Sequence, residues 1–474
     1  MKSLHRLLTL FTMTSLLAVS LSACGGDSPL GPGMAAQTSN FGSIQNQEAV
    51  PGEYIVKRNG AGYLTPADQF AQTHGIKFIR EIAGSGIELF QISSPAALDA
   101  IAEFIEYAEP NYLRHLNLPQ QSAASLSAQS AFQRQSTANA DLPAANNYIG
   151  IIDTGIDESN PALQGRLVAG HNTLGADSLY DDNGHGTYLA GIAVAQDASQ
   201  QIDGLLENGK VLPIKALDAN GIGTDFSIAE GIYLAIEYGA KVIVLSASGA
   251  KQGQALTQAI DFANQNNVPI IVPAGNQLNS ASVFPANARG VIAVNAVDMQ
   301  GQNVAAYAAR PSSQVHISAV AQGIRSTLPT HGFALQRQGV TAGAGQLETP
   351  AAAAMQVAAA AASIKTMNPG ISLSGLYQQL SAATDDLGQQ GRDNLYGSGR
   401  LNMARVGQLS AQRAPQAQTY PQTQQPVYGQ PQYAGQYTGQ YAAQPQYAGY
   451  PQQGAAYPAQ QDPYSAYNAN TQRR

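Results

Sequence analysis

One cysteine in 474 residues, no tryptophan and a charged fraction of only 12% set the first limits on this chain. A single Cys24 excludes an internal disulfide and a cysteine-rich metal site, so the fold must stand on its hydrophobic core. Basic residues are scarce as well. The 24 Lys and Arg against 31 Asp and Glu leave a net charge of −7, with no basic patch of the kind a phosphate backbone demands, which argues against nucleic acid as a partner. Beyond the first 21 residues no uninterrupted apolar run reaches the roughly 18 residues of a membrane span. What the chain does have is 44% hydrophobic residues, ample for a sizeable core, over a length that allows two or three domains.

The one long apolar run, Leu7 to Leu21, follows Lys2 and Arg6 and leads into Leu21-Ser22-Ala23-Cys24-Gly25-Gly26. Small residues before the cysteine let a signal peptidase bind the extended chain. This segment resembles a bacterial lipoprotein signal, which implies removal of residues 1–23, lipidation of Cys24 and a place in the cell envelope. Each buried methylene of the acyl chains contributes about 0.8 kcal/mol, so the anchor holds a membrane without a spanning helix. Gly25 in place of an acidic residue points, by the same resemblance, to the outer membrane. Residues 24–50 are rich in Gly, Ser, Gln and Asn and read as a tether.

Order is expected from Pro51. Glu53 to Lys57 is a short β-branched and aromatic strand, Pro66 to His74 a helix, Ile87 to Ile92 a second strand and Pro95 to Ile105 a second helix, with a last strand after Ile105. This makes residues 51–116 a small α+β, ferredoxin-like unit. Residues 117–146 turn to Gln, Ser and Ala, the composition of an exposed linker. A large domain, 147–407, then opens on Tyr148-Ile149-Gly150-Ile151-Ile152-Asp153, a continuous apolar strand suited to burial on both faces of a parallel sheet. Further strands are expected over Val211 to Leu217, Lys241 to Ser246, Val268 to Pro273 and Gly290 to Ala296, alternating with helices such as Ser227 to Tyr238 and Gln254 to Asn266. That alternation predicts an α/β fold with a doubly wound parallel sheet.

Three blocks in this domain carry chemistry: Asp153-Thr154-Gly155, Asn183-Gly184-His185-Gly186-Thr187 and Ala274-Gly275-Asn276. With Phe284-Pro285-Ala286 and the closing Asp393-Asn394-Leu395-Tyr396-Gly397-Ser398-Gly399, they stand in the order found in subtilisin-like serine peptidases, and residues 147 to 406 resemble that family. The resemblance implies a charge relay of Asp153 and His185 and an oxyanion donor in the Asn276 amide. It also makes 51–116 similar to a subtilase inhibitory prodomain, through Tyr54-Ile55-Val56 and the closing Glu109-Pro110-Asn111. Leu245-Ser246-Ala247-Ser248-Gly249 then corresponds to an edge of the substrate groove, with Ser246, Ala247, Ser248 and Gly249 beside an added peptide strand.

The fourth block departs from the family. Subtilases present Gly-Thr-Ser-Met-Ala-x-Pro-x-Val-Ala-Gly at the start of a buried helix, whereas this chain reads Glu348-Thr349-Pro350-Ala351-Ala352-Ala353-Ala354-Met355-Gln356-Val357. Counting back from Val357 puts Ala351, which has no hydroxyl, at the nucleophile position. Thr349 and Pro350 then read as N-cap and first turn of the helix. Two other hydroxyls compete for the role: Thr349 as a displaced nucleophile, and Thr341 in Gly339-Val340-Thr341-Ala342-Gly343 under a different local alignment.

Three functions follow. The first is a catalytically impaired pseudoprotease that binds extended peptides or acts as a scaffold; the second is an active endopeptidase with a displaced nucleophile; the third is a structural envelope protein acting through its tail. That tail, 411–474, is low in complexity and holds ten of the 22 tyrosines, a composition that cannot bury a core and that suits weak contact with cell wall or glycan. No cofactor or metal is predicted. Structural calcium is not readable, because its ligands on subtilases come from variable loops.

Overall fold

The computed structural model describes residues 48–116, 118, 148–176, 178–276, 283–309 and 315–411. The segment read as a signal with Cys24, most of the expected tether, nearly all of the expected linker and all but the first residue of the expected tail lie outside these residues. In the N-terminal part, β1 (Ala49–Arg58), α1 (Ala67–His74), β2 (Lys77–Ile82), β3 (Ile87–Gln91), α2 (Pro95–Ile101) and β4 (Ile105–His115) follow in order. The antiparallel sheet runs β4-β1-β3-β2. Strand β2, Lys77-Phe78-Ile79-Arg80-Glu81-Ile82, was not expected from the sequence, because three charges in six residues mask its alternation. As an edge strand it buries only Ile82.

The period of two along these strands gives the sheet two uses. Val56, Phe90 and Ile92 face the unit's own helices, in a small core with Phe70 and Ile101. Ile55, Ile87 and Leu89 face the other way, into a core that also contains Phe226, Ile228 and Leu256 of the large domain. Burial of that second face holds the two parts together.

The large domain supplies β5 (Tyr148–Asp153), α3 (His185–Val194), β6 (Lys210–Lys215), β7 (Ile222–Thr224), α4 (Asp225–Glu237), β8 (Ala240–Leu245), α5 (Gln254–Gln265), β9 (Ile270–Pro273), β10 (Val291–Val297), β11 (Ile317–Val320), α6 (Ala351–Met367), α7 (Leu373–Ala382) and α8 (Met403–Ala411). Strands β11-β10-β9-β8-β5-β6 lie side by side and are all parallel. Alternate residues of each strand enter opposite cores. Ile149 and Ile151 pack with α3 and α6, while Ile152 packs with α4 and α5. The uninterrupted apolar reading of β5 is thus explained by helices on both faces. Helix α6 contains nine alanines and is buried through Lys365, passing through the middle of the domain where larger side chains would not fit. Among the described residues no helix is long and apolar enough to cross a membrane.

Candidate active site

Asp153 ends β5, at the carboxyl edge of the parallel sheet where such folds place function. Its Oδ1 accepts a hydrogen bond from the Thr154 N–H at 2.8 Å. His185 opens α3, delivered by Gly184 at φ 110°, a conformation that costs glycine nothing and any L side chain strain. Gly186 is equally fixed: a Cβ there would stand 2.1 Å from the Gly155 carbonyl oxygen. The His185 Nδ1 lies 2.9 and 3.0 Å from the two Asp153 carboxylate oxygens. Donating Nδ1–H to that carboxylate leaves Nε2 as an acceptor, and the hydroxyl that meets it, at 3.0 Å, is Thr349 Oγ1. The same oxygen accepts the Ala351 N–H at 3.2 Å. Asp153, His185 and Thr349 are each at most 1% exposed.

This corrects the placement of Ala351 opposite His185. Ala351 is the first residue of α6, and Pro350 occupies the N-cap position with helical backbone angles. The sequence reading anchored the family pattern on Val357, but in the observed register it is Met355, fully buried, that stands six residues after the hydroxyl. A run of alanines carries no register information, so a slip of two residues left no trace in the sequence. The cap-like contact expected of Thr349 does exist, but it involves the same hydroxyl that faces the histidine. Thr341 is elsewhere: exposed, with its hydroxyl donating to the Ala344 carbonyl.

A residue that sequence reasoning missed holds the histidine loop. Asp181 accepts hydrogen bonds from the Thr154 and Thr187 hydroxyls and from the backbone N–H groups of Gly184 and Thr187, at 2.6–2.8 Å. Burial raises its pKa while these donors lower it, and the net direction is upward. It stitches the β5 and α3 ends of the relay together. The acidic pair Asp181-Asp182 just before Asn183-Gly184-His185 was its only signal.

Asn276 follows β9 and lines one cleft with Thr349, Pro350, Ala351, Gly275, Pro273, Pro285, Ser246, Ala247 and Ser248. Leu116, from the N-terminal part, lines the same cleft. The reason is backbone pairing: the end of β4 lies between two strands of the large domain. Leu113, Arg114 and His115 pair antiparallel with Ile222–Thr224 on one side. On that same side the Leu116 N–H donates to the Gly221 carbonyl at 2.8 Å, and on the other side His115 and Ser248 exchange N–H···O bonds of 2.9 and 3.0 Å. Of the expected groove residues, Ser248 pairs with this strand and Gly249 bridges to Phe284.

The subtilase family model matches residues 145–399. The chain belongs to the subtilase family. It is 33% identical over 249 residues to subtilisin DY of Bacillus licheniformis, spanning 52% of this chain and 85% of that one. It is 37% identical over 188 residues to thermitase of Thermoactinomyces vulgaris, spanning 39% of this chain and 67% of that one. The crystal structure of fervidolysin from Fervidobacterium pennivorans superposes with a TM-score of 0.65 at 22% identity, covering 77% of this chain and 62% of that one, and shares its fold. In this subtilase the N-terminal unit is held at a second point. Glu109 caps α5, its carboxylate accepting the Gln254 and Ala255 N–H groups at 2.7 and 2.8 Å. Glu109→Ala removes both bonds. It is expected to loosen β4 by about 3 kcal/mol, seen as roughly 10²-fold faster amide exchange at Leu113, His115 and Leu116 with the large-domain core unchanged. Unchanged exchange would show that the cap does not hold the strand.

Proposed function

We propose that this subtilase is an active endopeptidase in which Thr349 takes the place of the usual serine, working at a bacterial cell envelope where a lipid on Cys24 anchors it. The observation that carries the reading is the unbroken line from Asp153 through His185 to the Thr349 hydroxyl. Asp153 fixes the imidazole tautomer and stabilises the imidazolium as it forms. His185 Nε2 takes the proton as Thr349 Oγ1 attacks the scissile carbonyl carbon, then returns it to the leaving amine as the tetrahedral intermediate collapses to an ester on Thr349. The Asn276 amide is the side-chain donor for the oxyanion. Water, activated by the same histidine, then releases the acid and restores the hydroxyl.

The threonine methyl has a cost. A β-branched side chain is stiff about χ1, and in a site this buried the methyl must be housed at every step, so turnover is slower than serine would allow. The envelope location is supported by Leu21-Ser22-Ala23-Cys24. A binding-only role is favoured by one observation: Leu347-Glu348 stand where the family has Gly-Thr, so the nucleophile's neighbours are remodelled too. Intact mass spectrometry of the purified protein separates the two. The active reading expects a chain cut within residues 117–147 and a Thr349→Ala variant that stays whole. A wild-type chain that never cuts itself or an added protein substrate, or a variant that is cut equally, sinks it. The same spectrum reports acyl mass on Cys24.

A further inference from the structure

Arg114 lies in the groove-bound end of β4, and its side chain is buried. It donates Nε to Asp225 Oδ1 at 2.6 Å and Nη2 to Asp225 Oδ2 at 2.7 Å, a two-point fork. The guanidinium lies 5.1 Å from the centre of the Phe284 ring. Two glycines make room. A Cβ on Gly249 would stand 2.5 Å from Arg114 Nη1, and one on Gly253 would stand 2.0 Å from Asp225 Oδ2. The slot is therefore shaped for a planar cation, with a carboxylate at its base, an aromatic face above and backbone on its flanks.

The carboxylate, the Phe284 face and the glycine flanks of this slot, Asp225, Phe284, Gly249 and Gly253, all belong to the large domain. The N-terminal unit brings the arginine itself and, beside it, the Tyr112 ring, whose centre lies 6.0 Å from the guanidinium. The backbone bonds that hold residues 113–116 are blind to side-chain identity, so any extended peptide can repeat them in the same register. Such a peptide presents to Asp225 the side chain two residues before the one that occupies the Leu116 position beside Asn276 and Thr349. An uncharged side chain there would leave the carboxylate buried and alone, a heavy penalty in a dry site. Burial already pushes Asp225 up to about 7, against the downward pull of Arg114.

We infer that Asp225 is a specificity-determining residue that selects substrates with arginine at the Arg114 position of the groove. Lysine fits less well, because a single ammonium cannot match both carboxylate oxygens or stack on Phe284. This rests on the reading of the groove as a site for cleavable peptides, but it is tested by binding.

The full chain carrying Arg114→Ala and Thr349→Ala is titrated with three fluorescein-labelled peptides. One has the sequence of residues 112–118; the others carry leucine or lysine in place of its arginine. Fluorescence anisotropy is expected to show the arginine peptide bound about 30-fold more tightly than the leucine peptide and about 10-fold more tightly than the lysine peptide. Adding Asp225→Leu, or the isosteric Asp225→Asn should the former fail to fold, is expected to bring the arginine-to-leucine ratio to about one. Equal binding of arginine and leucine peptides with Asp225 intact, or an arginine preference that survives its replacement, overturns the inference. Cleavage is followed separately with Thr349 present. Arginine-selective binding without cleavage sinks the peptidase reading and leaves the slot standing, while cleavage without arginine preference does the reverse.

Discussion

Thr349→Ala is expected to lower turnover of an unfolded protein substrate by about 10³- to 10⁵-fold, while Ala351→Ser leaves it unchanged. In subtilisin, loss of the nucleophile costs about 2 × 10⁶ in turnover, and a threonine enzyme starts from a lower rate, so the measurable fall is smaller. The two substitutions separate the two registers of the fourth block. If Ala351 faced the histidine, a serine there would create activity in the Thr349→Ala background; with Thr349 Oγ1 at 3.0 Å from His185 Nε2, it creates none. Thr349→Ser completes the series. Removing the methyl frees the attacking rotamer, and turnover is expected to rise by on the order of 10-fold. Rates from single-turnover assays on the three variants, with thermal melts to show that each folds, decide the matter. Activity of Thr349→Ala equal to wild type would remove threonine from the chemistry altogether.

Asp153→Asn is the second large effect, a fall of about 10⁴-fold at neutral pH. The geometry says which way the new amide would turn. Both carboxylate oxygens lie close to His185 Nδ1, but only Oδ1 also accepts the Thr154 N–H, so the asparagine oxygen would keep the Oδ1 place and its NH₂ would take the Oδ2 place, 3.0 Å from Nδ1. The imidazole would then accept at Nδ1 and carry its proton on Nε2, the wrong side to receive one from Thr349. Turnover should recover at high pH, where hydroxide replaces the blocked base, so the pH–rate profile changes shape as well as height. A variant within 10-fold of wild type would mean that the carboxylate does not set the tautomer.

Much of the fold was legible because each signal was local. The apolar run ending in Asp153 could only be a strand covered on both faces, and glycines on either side of His185 mark a backbone that must pass close to its neighbours. Asn276 was found by its order after the first two blocks. The hydroxyl that faces His185 was misplaced for an equally physical reason: Ala351 to Ala354 are interchangeable, and the pattern was anchored on Val357 rather than on Met355. Strand β2 was hidden by its charges. The pairing of Arg114 with Asp225 had no local signal, since the two residues are 111 positions apart and meet only because β4 enters the groove.

That strand has a consequence for how the proposed endopeptidase would meet its substrates. While the chain between Leu118 and Tyr148 is intact, residues 113–116 are a ligand carried on the same molecule, present at an effective concentration independent of how dilute the protein is. External peptides must displace it at that level. One cut in the connecting chain converts the relation from intramolecular to bimolecular. From then on, occupancy of the groove by its own strand falls with dilution, so the onset of activity should track protein concentration in a way that the uncut chain cannot.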